Sequence, residues 1–128
     1  MRRATDSARL GGTVGAFGDL FFPGGGEIDV RATMTLLPDA RCARRSDSKI
    51  HWRPNHNFGA QEDRVFYIGQ VEFDQPGTIE IGQTRDVLVR FMDGPGLKEQ
   101  LLPGRSWRVQ EGLTLVATAR VIEVLGET

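Results

Sequence analysis

Three residues of the chain belong to the types that bind zinc or act as nucleophile and base. They are Cys42, His51 and His56. A structural zinc site needs four ligands with closely spaced cysteines, so one cysteine and two histidines match it poorly. A cysteine nucleophile also needs an orienting third group and a pocket, and the sequence identifies neither. We therefore predict no metal site and no catalytic residue, and interpret the three as loop histidines and a partly exposed thiol.

The acidic residues and the glycines form no recognisable catalytic pattern. A phosphate-binding loop requires a lysine directly after a glycine, and neither Lys49 nor Lys98 has one before it. The segment from Asp93 to Gly96 is interpreted as a turn. We therefore predict no enzymatic activity, no cofactor and no nucleotide. The scattered carboxylates do not favour a catalytic pair: Asp29, Glu72, Asp74, Glu80, Asp86, Glu111 and Glu123.

The densest charge lies in the segment 41–53, where five cations are opposed only by Asp47. Cations beside an aromatic ring suit phosphate contacts and base stacking, and they also suit an acidic protein surface. The alternative interpretation is an ordinary solvated loop. The candidate partner-binding residues are Arg41, Arg44, Arg45, Lys49, Trp52, Arg53, Asn55 and His56.

The chain is 128 residues long, with 39% hydrophobic residues, which is enough for one core. A formal net charge of −1 argues against a general nucleic-acid coat. No apolar stretch is long enough to span a membrane as a helix, and the single cysteine excludes an internal disulfide. These features predict a cytoplasmic protein that does not bind membranes.

The chain divides into residues 1–27, a flexible glycine-rich leader, and residues 28–128, a single domain. Arg2 and Arg3 are typical of a signal peptide, but no uninterrupted apolar segment follows them. Leu20, Phe21 and Phe22 are predicted to form a short apolar clasp. The alternative function for the leader is a docking peptide for a partner.

Short strands separated by turns follow the leader. Residues 28–36 alternate between apolar and polar side chains, which is typical of a strand with one buried face. Trp107 and Val109 share a face in another such segment, and Trp107 is predicted to be a core anchor. In the last strand the apolar positions shift by one residue near Ile122, which predicts a β-bulge. Further strands are predicted at 65–73, 78–81, 86–92, 106–110 and 113–125.

The pattern predicts an all-β fold, either a small closed antiparallel barrel of about six strands or a sandwich. The order of several short motifs then resembles the C-terminal (third) domain of elongation factor Tu and related translation factors. The resemblance covers residues 28–126 and favours the barrel. Its motifs are Trp52-Arg53-Pro54, Gly77-Thr78-Ile79-Glu80, Arg105 to Gly112, and the final strand ending Val124-Leu125.

The resemblance implies a six-stranded barrel without catalytic residues that contacts other proteins and the T-stem side of tRNA. It places Arg53 and Asn55 near the tRNA backbone. The family's close-approach glycines are replaced by Ala117 and Ala119, and an arginine by Gln110. We therefore expect a non-enzymatic interaction module whose partner is a protein, contacted by Trp52, Arg53 and His56 among others, or a structured RNA. The alternative is a ligand-binding or enzymatic barrel that shares only the topology.

Overall fold

The computed structural model describes residues 26–73 and 77–128; most of the predicted leader, residues 1–25, lies outside them. A 3₁₀ turn (Pro38–Ala40) follows the first strand, and residues Leu97–Gln100 form a short helix, α1. The strands are β1 (Glu27–Leu36), β2 (Arg44–Ser46), β3 (Asn55–Asn57), β4 (Tyr67–Phe73), β5 (Gly77–Ile79), β6 (Thr84–Met92), β7 (Ser106–Glu111) and β8 (Thr114–Glu127).

Six of these strands close into an antiparallel barrel in the order β1-β6-β4-β3-β7-β8, and β8 pairs back onto β1. The predicted all-β closed barrel is therefore confirmed. The remaining strands, β2 and β5, pair with each other in a separate two-stranded sheet. Their pairing joins two long connections that the sequence pattern describes only as a loop and a short extended segment.

The barrel interior is filled by the apolar faces of its strands. The predicted face of β1, from Ile28 to Leu36, is buried at every second residue. Trp107 is 3% exposed, which confirms it as a core anchor. It pairs with Ala119, and the neighbouring pair is Val109 with Ala117. Small residues on β8 thus make room for the indole, as interdigitation in a narrow barrel requires.

Register shifts between β1 and β8 confirm the predicted break in the last strand. Val121 pairs with Ala32 and Glu123 with Arg31, so Ile122 is an extra residue on β8. A second shift leaves Leu125 as another extra residue. Each bulge moves the following side chains to the other face of the strand, which explains the change of apolar phase.

The two ends of β1 carry different parts of the chain. At its start, the Thr128 amide donates to the Glu27 carbonyl at 2.9 Å, so the end of β8 lies there. At its finish, Leu36 leads into the 3₁₀ turn and then into residues 41–53. The start of the basic segment and the end of β8 therefore lie at opposite ends of β1.

Candidate interaction surface

The basic loop, which we define as residues 41–53, is tied to the barrel wall. Arg41 has a left-handed backbone (φ 71°), which turns the chain out of the 3₁₀ turn. Further along, the Ser46 hydroxyl donates to the Val71 carbonyl at 2.5 Å, and the Val71 amide donates to the Trp52 carbonyl at 2.9 Å. Both contacts fix the loop against β4, so its side chains project from a defined backbone.

Arg44 holds the loop to the turn between β7 and β8. Its Nε and Nη2 each donate to a carboxylate oxygen of Glu111 at 2.8 Å, and the Trp52 indole donates to the same carboxylate at 3.0 Å. The hydrogen bonds from Arg44 lower the pKa of Glu111, and those to Glu111 raise the pKa of Arg44. With its guanidinium used in this way and its side chain only 17% exposed, Arg44 stabilises the loop and is not offered to a partner.

The tip of the loop is shaped by Asp47. Its Oδ1 accepts hydrogen bonds from the amides of Lys49 (2.8 Å) and Ile50 (2.9 Å), and Oδ2 accepts one from Arg45 at 2.7 Å. The Ile50 and Lys49 amides, followed by Arg45, hold the pKa of Asp47 at about 2. Arg45 is therefore neutralised locally, while the turn directs residues 49 and 50 to the surface.

A basic patch remains on the outside of the loop, and we define it as Lys49, Ile50, His51 and Arg53. The Ile50 side chain is 46% exposed. Gln70 joins the patch to the barrel, because its Oε1 accepts from Arg53 Nε at 3.1 Å and its Nε2 donates to His51 Nδ1 at 3.2 Å. Within residues 26–73 and 77–128, no acidic side chain pairs with Lys49 or Arg53.

His56 lies in the barrel core, so its predicted place in a loop and at a partner contact is wrong. It is fully buried on β3, where its Nε2 lies 3.0 Å from the Gly69 carbonyl and its Nδ1 accepts from the Trp107 indole at 3.0 Å. The Phe91 ring packs against it edge-on, with ring centroids 4.9 Å apart. Burial lowers the pKa of His56 to about 4, which keeps the imidazole neutral.

Trp52 and Asn55 are also less exposed than residues that contact a partner at the surface. Trp52 is 7% exposed, and its indole is directed at Glu111. Asn55 is half-buried between β4 and β7, opposite Ile68 and Gln110. Trp52 is held by its bridge to Val71 of β4, and Asn55 by its pairing in β3. Of the predicted cations, Lys49 and Arg53 come together in the basic patch, while Arg41 lies apart from it.

Arg41 borders a cavity of about 420 Å³ between the 3₁₀ turn and the β7–β8 turn. Glu111 and Thr114 belong to this cavity but were not among the predicted site residues. Since Glu111 is 67 residues from Arg44, no local pattern in the sequence connects them. The charges that line the cavity are balanced, with one acidic residue for each arginine. The lining residues are Asp39, Ala40, Arg41, Arg44, Glu111, Thr114 and Val116.

The residues considered for zinc binding are not brought together. Cys42 and His51 are exposed on the loop, whereas His56 is inside the barrel. In the described part of the chain, no group of three or more histidine, cysteine, aspartate or glutamate side chains is placed to hold a metal ion.

Carboxylates on the outer face of the barrel form ion pairs across strands. Arg90 of β6 binds Asp29 of β1 at 2.9 Å, and Arg31 binds Glu123 of β8 at 2.7 Å. The Asp29 hydrogen bond raises the pKa of Arg90. Because the charges on this face satisfy each other, it offers little net charge to a partner.

The residues at which the chain differs from the elongation factor Tu pattern lie inside the barrel. Ala117 and Ala119 are buried inside the barrel, and Gln110 is buried against Asn57, whose Nδ2 donates to it at 2.7 Å. Their side chains therefore do not reach the outer surface of the barrel.

No protein-family model matches the chain, and no curated protein matches its sequence. None of the helices among the described residues is long and apolar enough to cross a membrane.

Proposed function

We propose that this barrel is a non-enzymatic interaction module that binds an acidic protein partner through the basic patch. The resemblance to the third domain of elongation factor Tu supports an interaction role, since that domain works through its surface. The observation that carries the proposal is the exposed Ile50 between cations on a loop that is fixed to the barrel.

The composition of the patch supports a protein partner. Interfaces combine an apolar contact with a polar rim, and here Ile50 is the apolar contact while Lys49, His51 and Arg53 form the rim. Lys49 and Arg53 form no ion pair with a described residue, so a carboxylate of a partner would supply one. The partner surface complementary to this patch carries acidic residues around a small apolar depression.

The attachment of the loop also supports binding. Binding costs free energy when a loop must be ordered, and a pre-ordered loop avoids most of this cost. The contacts of Ser46 and Asp47 before Ile50, and of Trp52 after it, already hold the backbone on both sides of Ile50. The loop therefore presents Ile50 from a backbone that is already held in place.

The distribution of charge favours a protein partner over a structured RNA. Arg44 and Arg45 would be natural phosphate contacts, but Glu111 and Asp47 neutralise them. At most three cations of the loop, Arg41, Lys49 and Arg53, then remain for phosphates. Three contacts to a duplex would give a logarithmic salt slope of about −2.7, which makes RNA binding easy to recognise.

The test compares three forms of the full chain in affinity capture from lysate of its source, with and without nuclease treatment, and captured proteins are quantified by mass spectrometry. The forms are the wild type, a patch variant (Lys49→Glu/Arg53→Glu) and a control (Arg64→Glu/Arg120→Glu). The control makes the same change of charge at exposed arginines outside the patch. Neither variant should unfold the barrel, since exposed charges contribute little to stability.

We expect a captured acidic protein to be retained by the wild type and the control and weakened at least about tenfold in the patch variant. Ile50→Ser should weaken the same protein. Equal capture by all three forms would refute a role for the patch. Capture that disappears with nuclease would instead identify RNA as the partner.

A further inference from the structure

The cavity of about 420 Å³ beside the 3₁₀ turn is large enough for a small ligand, and none of its lining residues belongs to the basic patch. Ala40 and Val116 line it and are only 4% and 1% exposed, so they form an apolar floor. The other lining side chains carry a charge or a hydroxyl group. The cavity therefore combines a small apolar surface with polar groups that can orient a ligand, as binding sites for small molecules do.

One wall of the cavity is an ion pair whose hydrogen bonds are already made within the protein. Arg44 Nε and Nη2 donate to the Glu111 carboxylate at 2.8 Å each, and Arg44 Nη1 donates to the Cys42 carbonyl at 2.8 Å. All three nitrogens of this guanidinium are therefore occupied. The Glu111 carboxylate also accepts from the Trp52 indole. This pair shapes the cavity but offers no net charge to a ligand.

Two other charged side chains border the cavity, those of Asp39 and Arg41. Both are exposed, and within residues 26–73 and 77–128 neither side chain forms an ion pair or a hydrogen bond. They carry opposite charges and lie two residues apart, yet they do not pair with each other. A cavity bordered by one free cation and one free carboxylate is complementary to a ligand that carries both charges.

Arg41 has a backbone conformation that a glycine would adopt more easily. Its φ is 71°, and its amide donates to the Pro38 carbonyl at 2.9 Å, which closes the 3₁₀ turn. A side chain in this left-handed region costs free energy that glycine avoids, and such positions are concentrated at functional sites. No contact of the Arg41 guanidinium with a described residue offsets this cost, whereas a contact with a ligand would.

We propose that this cavity binds a small zwitterion with an apolar side chain, either an α-amino acid or a short peptide. Arg41 donates to the carboxylate of the ligand, and Asp39 accepts from its ammonium group. The apolar side chain of the ligand covers Ala40 and Val116, and the exposed Thr114 hydroxyl lies at the rim. The site is separate from the basic patch, so it does not depend on the protein partner proposed for that patch.

Isothermal titration calorimetry of the full chain with leucine and three analogues tests the proposal. Leucinamide lacks the carboxylate, N-acetylleucine lacks the ammonium group, and leucylglycine holds the two charges further apart. We expect leucine or leucylglycine to bind with a Kd on the order of 1 mM or tighter, and the tighter of the two identifies an amino acid or a peptide as the ligand. Leucinamide and N-acetylleucine should bind at least about tenfold more weakly. No saturable binding, or equal binding of all four compounds, would overturn the proposal.

Two variants assign the binding to the charged residues of the cavity. Arg41→Gly is compared with Arg64→Gly, and Asp39→Asn with Glu62→Gln, since both control residues are exposed and lie outside the cavity. Arg41→Gly should weaken the binding of the tighter zwitterion at least about tenfold and leave the barrel folded, because glycine adopts the left-handed backbone readily. Asp39→Asn should weaken it similarly, and both controls should bind like the wild type. Equal affinities of Arg41→Gly and Arg64→Gly would overturn the proposal.

Amide chemical shifts of the labelled chain show where the zwitterion binds. Addition of leucine or leucylglycine should move the amide signals of residues 39–41 and 114–116, which border the cavity. The same addition should leave these signals in place in Arg41→Gly. Changes confined to residues 49–53 would overturn the proposal, because they would place the ligand on the basic patch.

Discussion

Acid should destabilise this barrel through a single buried imidazole, that of His56. The Trp107 indole can only donate, so His56 Nδ1 must accept and Nε2 must carry the proton that it gives to the Gly69 carbonyl. A second proton would place an N–H of His56 against the N–H of Trp107. Full burial makes this charged form costly as well.

The pKa of His56 gives the sign and size of the effect. The pKa is about 4 in the folded barrel, against 6.5 for a histidine exposed to water. Between these values the unfolded chain binds more protons, so stability falls as the pH is lowered through this window. The difference corresponds to about 3 kcal/mol of stability, present in full above pH 6.5 and lost near pH 4.

Urea unfolding followed by tryptophan fluorescence between pH 7 and pH 4 measures this loss. The control is His56→Gln, which does not titrate; its pH profile should be flatter by about 3 kcal/mol over the same range, whatever its absolute stability. If the stabilities of the wild type and His56→Gln fall equally as the pH is lowered, the reasoning is refuted. If His56→Gln does not fold, an NMR titration of His56 in the wild type replaces it, and a pKa of 6 or above would refute the reasoning equally.

Three further substitutions test the packing of the barrel and the attachment of its loop, each by denaturant unfolding. Trp107→Ala should lower the free energy of unfolding by about 3–5 kcal/mol because it empties the centre of the core; an unchanged midpoint would contradict the burial of Trp107. Gly69→Ala should cost about 1–3 kcal/mol, since its Cβ would lie 2.9 Å from His56 Nε2 and 3.1 Å from Phe91; a neutral result would show that β4 can move away from β3. Glu111→Ala should cost about 1–2 kcal/mol and accelerate hydrogen exchange in residues 41–53, because Arg44 and Trp52 lose their shared acceptor; unchanged exchange would show that the loop is held without it.

The barrel could be predicted from the sequence because its long strands have a regular period of two. The alternation from Ile28 to Leu36 gives β1, and the change of phase near Ile122 gives the bulge in β8. Strands β2 and β5 are three residues each, too short for a periodic pattern, and they form because residues distant in sequence meet. Local patterns therefore determine the barrel wall but not the sheet beside it.

The candidate surface was predicted only in part, for a related reason. The composition of residues 41–53 identifies a basic loop, but it does not show which cations are neutralised. Glu111 lies 67 residues from Arg44, so its effect becomes visible only when the barrel brings the two together. In the same way, His56 follows two exposed residues of the loop, His51 and Arg53, yet it enters β3 with its side chain facing inward.

The most direct test of the interaction module is an amide chemical-shift map of the labelled chain with its captured protein partner. The account predicts that the largest changes fall on Lys49, Ile50, His51 and Arg53 and on Gln70, which binds two of them. Changes confined to Arg31 and Glu123 would contradict it, because this ion pair lies outside the basic patch.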